Sequence, residues 1–349
     1  MSTRRNRAAA VAGGVLTIAV AAVTAAHAQQ DDVAAFYAGK QVRIIVGIGV
    51  GSGYDTTARL VGRHIGKHIP GKPDVIVSNQ PGAGSATMSN ALYATGARDG
   101  TVIGAPFNGM PTMPLLQPES ARFDPTKLGW VGSANRAYQA TYVWHTAPIK
   151  SMQDILKQTF VVGSQAPGSS QHDYPAVANV LFGTKFKIIN GYEATPKIHL
   201  AMERGEVMGS AATSFSTVKA TTGDWIKEKK ISVIAQFAMK KHPELRDVPL
   251  WLDLAKTDEQ KLAMRLLLVR LEWGVPYFTP PEVPAARLTA LRRAFDETMK
   301  DPGYRAESER AKLEVDPMTG EEIQKLVAET MATPPAVVKL VRDAMAAQH

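Results

Sequence analysis

Apolar positions along the chain alternate between two periods. Gln41 to Val46 is a run rich in branched residues that reads as a buried strand, and the segment from Thr56 to His68 carries Leu60, Val61 and Ile65, with Ile69 after it, at helical spacing. The same change of period recurs at once: Asp74 to Ser78 is a short branched strand, and Ser85 to Ala94 is a plausible helix. Further strands are predicted at Thr101 to Ala105 and near Trp130 to Ser133. A second run of units then gives a strand at Phe160 to Gly163, a helix around Asp173 to Leu181, a strand at Phe186 to Asn190, a helix at Pro196 to Arg204, and strands at Val207 to Ala211 and Ile231 to Phe237.

The C-terminal part is mainly helical. Arg287 to Lys300 places Leu288, Leu291, Phe295 and Met299 on one face, Thr319 and Glu322 form a capping box ahead of Ile323, Leu326 and Val327, and a last helix starts at Pro334-Pro335. The alternation predicts an α/β fold. A chain of 349 residues exceeds what one core usually serves, so two lobes are expected.

Three strand-to-helix turns in this pattern are built from small residues. The first is Gly47-Ile48-Gly49-Val50-Gly51-Ser52-Gly53-Tyr54-Asp55, the second Asn79-Gln80-Pro81-Gly82-Ala83-Gly84-Ser85, and the third runs from Gly163 through Gly168, Ser169 and Ser170 to His172. At such turns the first backbone N–H groups of the helix lack intrahelical partners and carry the positive end of its dipole, which suits a carboxylate or phosphate. In a parallel sheet the first two turns would lie side by side at the carboxyl ends of their strands, forming one anion pocket. A third turn in a second lobe would give that pocket a facing wall.

Two familiar phosphate motifs fail on register. Counting from Gly47 puts Ser52 where a dinucleotide fingerprint needs its third glycine, counting from Gly49 puts Tyr54 there, and no Gly-Lys-Ser or Gly-Lys-Thr follows either turn. Hydrolase and zinc-protease signatures, Gly-x-Ser-x-Gly and His-Glu-x-x-His, are absent.

The N-terminus adds a compartment. Arg4, Arg5 and Arg7 precede an apolar, alanine-rich run from Ala8 to Ala26, and Ala26-His27-Ala28 is a small-x-small cleavage site, so residues 1–28 read as a secretory signal peptide. Arg4-Arg5 is only a fragment of a twin-arginine pattern. Losing the leader removes three arginines from a formal charge of +8, and the remaining basic residues are scattered, with Lys227, Lys229 and Lys230 interrupted by Glu228. That speaks against nucleic-acid binding, which needs a clustered patch. The absence of cysteine excludes thiol catalysis and cysteine metal sites and fits a periplasmic protein that does without disulfides.

Together these segments resemble the substrate-binding receptors of tripartite tricarboxylate transporters, the Bug-type receptors, from about Phe36 nearly to the C-terminus. Gly53-Tyr54-Asp55 with Ala58-Arg59 resembles the first loop of that family, and Asn79-x-Pro81-Gly82-Ala83-Gly84 its second. Asp99-Gly100-Thr101 resembles a third segment, with Arg98 in place of a proline. Gly168-Ser169-x-x-His172 resembles the loop of the second lobe, and Gly191-Tyr192 with Gly205-Glu206-Val207 continues the pattern. The chain departs from it at Val50-Gly51-Ser52-Gly53, at Asp173 where leucine is usual, at Ala194, and at Thr213-Ser214, where an aspartate often stands.

The resemblance implies a bilobal type II periplasmic-binding fold with two α/β lobes that close on a small carboxylate through loop amides, small hydroxyls and ordered water rather than an arginine clamp. Residues 31–137 and 239–349 would form lobe 1 and residues 138–238 lobe 2. Gly51, Ser52, Gly53, Tyr54, Gly82, Ala83, Gly84 and Ser85 would form one wall, with Phe107, Asn108 and Asn135 at its edge. Ser164, Gly168, Ser169, Ser170, Tyr192, Thr213 and Ser214 would form the other. The expected protein is a monomeric periplasmic receptor, without catalysis, cofactor or metal, that delivers its ligand to the small and large membrane subunits of a transporter. Tyr54, Phe107, Tyr138 and Phe215 in or near these loops would admit an aromatic or bulky carboxylate.

Plainer roles compete for several residues. Asp55 reads as the N-cap of the first helix, and Ser85 and Ser169 could cap helices as readily as bind. Tyr192 fits core and pocket equally. His172 reads as structural, and His64 and His68, four apart, lie on a polar face without a carboxylate nearby in sequence. Two other functions fit the same cleft: presenting a ligand to a sensor kinase, and an exported α/β enzyme acting on a small carboxylate.

Overall fold

In a computed structural model of the chain, residues 32–346 are described. The leader and its cleavage site lie outside them. Two mixed sheets form the molecule. The first takes β1 (Gln41–Val46), β2 (Asp74–Asn79), β3 (Val102–Ala105), β4 (Gly129–Ser133), β10 (Pro276–Thr279) and β11 (Met318–Thr319) in the order β11-β4-β10-β3-β1-β2. The second takes β5 (Gln139–Trp144), β6 (Phe160–Gly163), β7 (Phe186–Ile189), β8 (Gly209–Ser214) and β9 (Ile231–Phe237) in the order β7-β6-β8-β5-β9.

Strands β1, β2 and β3 are parallel, as are β6, β7 and β8, because each pair is joined through a helix that must cross back over the sheet. In the first sheet these helices are α1 (Gly53–Ile65) and α2 (Ala86–Thr95). In the second they are α3 (Ser170–Phe182) and α4 (Thr195–Glu203), and α5 (Phe215–Lys227) follows β8. The pairing of Val46 with Asn79 brings the first two glycine turns to one edge, side by side, and the loop after Ala105 joins them on the other flank of β1.

Residues 239–349 do not all go with the first sheet, as the sequence boundary expected. Helices α7 (Ala285–Lys300), α8 (Pro302–Arg310) and α9 (Gly320–Met331) do: Leu291, Phe295 and Met299 share a core with Val42 and Ile44, and Ile323 and Val327 pack with Trp130. Trp251, the inner face of α6 (Asp258–Leu268), and Val337, Val338 and Val341 of α10 (Pro335–Ala346) are instead buried with Phe160, Tyr174 and Phe237 of the second. The chain therefore crosses between lobes at residues 134–138, 272–275 and 332–334.

The first two crossings run against each other. Ala134 N–H donates to Val275 O (3.1 Å), Gly274 N–H to Asn135 O (3.0 Å) and Ala137 N–H to Leu271 O (2.8 Å). Gly274 is required there, since a Cβ would come within 2.5 Å of Asn135 Oδ1.

If α10 belongs to the core of the second lobe, Val341→Ala should cost about 1–3 kcal/mol in urea unfolding, although Val341 lies more than one hundred residues from the nearest strand of that sheet. A value near zero would separate this helix from the lobe.

Candidate functional site

The first turn is shaped by Asp55. Ser52, not Asp55, caps α1, accepting the Asp55 N–H at 3.2 Å. The Asp55 carboxylate instead gathers donors from around the turn: Gly51 N–H (2.9 Å), Asn79 Nδ2 (2.9 Å) and Arg59 Nε (3.1 Å). Arg59 also donates to Asn79 Oδ1 at 2.8 Å, and Asn79 Nδ2 to Ile48 O at 3.0 Å, so three side chains bind the first turn to the second. Burial works to raise the Asp55 pKa, but the hydrogen bonds from Arg59, Gly51 and Asn79 outweigh it and hold the carboxyl below its ordinary value.

The second turn runs through left-handed space at Ala83 (φ 44°), Gly84 (φ 60°) and Ser85 (φ 78°). Ser85 is fully buried and does not cap α2. Its hydroxyl donates to Gly47 O (3.1 Å) and accepts Phe107 N–H (2.8 Å), so a residue expected to bind ligand ties the three loops of this edge together. Gly47 must be glycine because a Cβ would sit 2.5 Å from Ser85 Oγ. In the third loop, Phe107 packs on Tyr54 with ring centres 5.7 Å apart, Asn108 N–H reaches Tyr54 Oη at 3.4 Å, and Asn108 O accepts from Trp273 Nε1 at 2.9 Å. Burial pushes the Tyr54 hydroxyl up, so it stays protonated.

In the second lobe, Gly168 N–H donates to Asp173 Oδ1 at 2.9 Å, and Ser169 turns its hydroxyl back to Ala166 O instead of capping α3. His172 is buried with Nδ1 3.1 Å from Asp173 Oδ1. Thr213 is buried and bonds Ser210 and Gln171, and Ser214 bonds Ser216. The Ser164 hydroxyl is buried without a hydrogen-bond partner, and Tyr192 is partly exposed beside the loop, its N–H donating to Ser164 O at 3.3 Å.

A cavity of about 220 Å³ opens between the two lobes. Gly84, Phe107, Gly109 and Met113 wall it from the first lobe, Gly168 and Asp173 from the second, and Arg270 and Met345 complete it. A second hollow of about 440 Å³ shares Leu116, Gln117, Gly168, Asp173 and Met345 with it. Of the residues expected to bind, this cavity brings together Gly84, Phe107 and Gly168. Gly51, Ser52, Gly53, Gly82 and Ala83 belong to the same turns without lining it, and Asn135 belongs to the crossing between lobes.

Arg270 was not anticipated. It lies on the short turn Val269–Leu271, 7 % exposed, with Nε donating to Tyr174 Oη at 2.9 Å and the guanidinium over the Tyr174 ring at 4.8 Å. Burial opposes its charge, yet the Tyr174 oxygen and the Asp173 carboxylate outweigh that and hold its pKa above the ordinary value. The signal was present in the sequence: a single cation inside the apolar run Leu266 to Leu271 has no exposed helical face to occupy.

A hollow of about 640 Å³ lies elsewhere on the first lobe, between Lys67 to Lys72 and Ala285 to Glu297. It contains none of the expected residues, and Lys67 and His68 on its wall are engaged by Asp301. His64 and His68 are not short of carboxylates: Glu307 lies 3.1 Å from His64 Nε2 and Asp301 3.1 Å from His68 Nε2, both supplied by the chain around α8.

Two α/β lobes joined by antiparallel crossings, with glycine turns facing one another across an interlobe cavity, define a solute-binding receptor of the periplasmic-binding type. The chain belongs to the tripartite tricarboxylate transporter receptor family, whose model matches residues 58–342. Among solved structures it is similar to a TctC solute-binding protein from Polaromonas, without ligand, at 19 % identity and TM-score 0.69, covering 88 % of this chain and 99 % of that one. It is similar also to a Rhodopseudomonas palustris protein with adipate (17 % identity, TM-score 0.59, covering 86 % and 97 %) and to MatC of the same organism with malate (16 %, 0.57, covering 88 % and 99 %). No curated protein matches the chain.

The depressed Asp55 pKa stabilises the folded protein fully above the unfolded aspartate value near pH 4, and this contribution is lost as pH falls through the lower folded value. Asp55→Asn should cost about 1–3 kcal/mol at pH 7 and flatten the loss of stability below pH 4, read as urea midpoints from pH 7 to pH 2.

Proposed function

We propose that the mature protein, from about Gln29 onward, is a periplasmic receptor that captures a small carboxylate in the interlobe cavity and delivers it to the small and large membrane subunits of a tripartite transporter. The observation that carries this reading is the cavity itself: glycine turns from two separate lobes meet around it in a chain of the receptor family. Its relatives with malate and with adipate support a carboxylate as cargo. The leader read from residues 1–28 supports export, and among the described residues no helix is long and apolar enough to cross a membrane.

The work of such a site is capture and closure rather than bond-making. Movement at the crossings 134–138 and 272–275 would bring Gly168 and Asp173 toward Gly84 and Phe107, burying the ligand and presenting the membrane subunits with a different surface.

A thermal-shift screen of the mature chain against aliphatic, aromatic and amino-acid carboxylates, with phosphate and sulfate as controls, tests this. A ligand at one hundred times its dissociation constant adds about 2.7 kcal/mol, a shift of roughly 4–8 °C. Gly84→Val, which forces a β-branched residue to φ near 60° and adds bulk toward Met113, should abolish the shift. No shift with any carboxylate, from protein freed of co-purified ligand, would leave the fold standing and remove the cargo.

A further inference from the structure

The hollow of about 440 Å³ is continuous with the interlobe cavity. The two share Leu116, Gly168, Asp173 and Met345, and the outer rim of Gln117, Pro167 and Arg342 is exposed. One side of this rim belongs to the first lobe, where the short helix Met113–Leu116 ends. The other belongs to the second lobe, to α10 and to the loop before α3. The cavity thus opens to solvent along α10.

The charges around this opening fall into pairs, with one exception. Asp173, on the floor, takes the Gly168 N–H and stands on the same lobe as Arg270, whose guanidinium covers the ring of the adjoining Tyr174. Each offsets the other, and the Asp173 carboxylate is among the groups that hold the Arg270 pKa above its ordinary value. Asp343, on the rim, is engaged by Lys339 one turn back on α10. That leaves Arg342, which is exposed and, among the described residues, has no ion pair or hydrogen bond through its side chain. In a concave opening between low-dielectric walls, one uncompensated charge sets the local field.

We infer that this hollow is the vestibule by which solute enters the interlobe cavity, and that Arg342 draws anionic solute into it. The inference deepens the carboxylate reading above and rests on it. Arg342 stands on the approach and is not part of the cavity wall. Its effect therefore belongs to the rate of association, grows with the charge of the solute and is screened by salt.

Stopped-flow association of adipate, a dianion, with the mature chain tests this. The signal is tryptophan fluorescence, since Trp273 donates its Nε1–H to Asn108 O on a loop of the same edge. Where adipate gives no thermal shift, the carboxylate with the largest shift replaces it. Arg342→Glu should slow association about tenfold at about 10 mM salt, where the screening length is about 30 Å, and less than about twofold at about 1 M, where it is about 3 Å. Dissociation should change less than about twofold, and Arg342→Lys should associate as the unaltered protein does. Arg293→Glu, on the wall of the remote hollow of about 640 Å³, alters net charge equally and is the control. It should slow association less than about twofold.

An Arg342→Glu protein that associates no more slowly than Arg293→Glu overturns the vestibule. So does a loss that persists at high salt or lies in dissociation, since Arg342 would then be touching bound solute. In either case the carboxylate still binds, and the receptor reading survives. If no carboxylate of the thermal screen binds, both readings fall together.

Discussion

The buried carboxylate of Asp55 is the constraint on which the cleft depends. Glycine-rich turns have little to hold them in one shape, because backbone freedom is what lets them approach a ligand and also what folding must remove. Here the order is imposed from behind. Asp55 collects the Gly51 N–H, Asn79 and Arg59, and Ser85 joins Gly47 to Phe107, so three loops from three adjacent strands move as one wall. Three successive residues, Ala83 to Ser85, keep positive φ, a strain that persists only where the surroundings over-determine it.

The same economy governs the seam between lobes. The two crossings are bonded to each other through the backbone, which holds the connections between the lobes side by side. Side-chain pairs span the seam outside: Arg136 lies between Glu272 (3.4 Å) and Asp316 (2.9 Å), and Lys219 of the second lobe between Glu244 (2.7 Å) and Glu314 (3.1 Å). Pairs with partly exposed partners are individually weak in water. Such pairs add little to hold the seam in one arrangement.

Much of the fold was legible because its strongest signals are local. Gln41–Val46, Phe160–Gly163 and Ile231–Phe237 stand where branched residues cluster, and the Thr319 and Glu322 capping box starts its helix as read. Gln139–Trp144 and Pro276–Thr279 were not read as strands. One follows a crossing between lobes and the other begins at a proline, and both are fixed by antiparallel neighbours distant in sequence. The candidate site was legible only at its turns. Glycine turns announce themselves, so Gly84, Phe107 and Gly168 reach the cavity wall. Ser85 and Asp55 were read by type, and only the fold shows that their oxygens are already occupied by other loops. The carboxylates facing His64 and His68 come from more than two hundred residues away, which no spacing rule reaches.

A receptor wall made this way separates two tasks that one set of residues cannot perform together. A hydroxyl or carboxylate that holds a loop in place has spent the hydrogen bonds it would need for a ligand, and freeing it would loosen the loop. What the turns still offer is backbone, and any further polar group on the cavity has to come from outside them. Arg270 reaches the cavity from a turn beside the crossing, and Asp173 sits on α3 with one oxygen committed and one not. Side chains that stand apart from the turns in this way can be altered without disturbing them, which is how one scaffold can carry different sites.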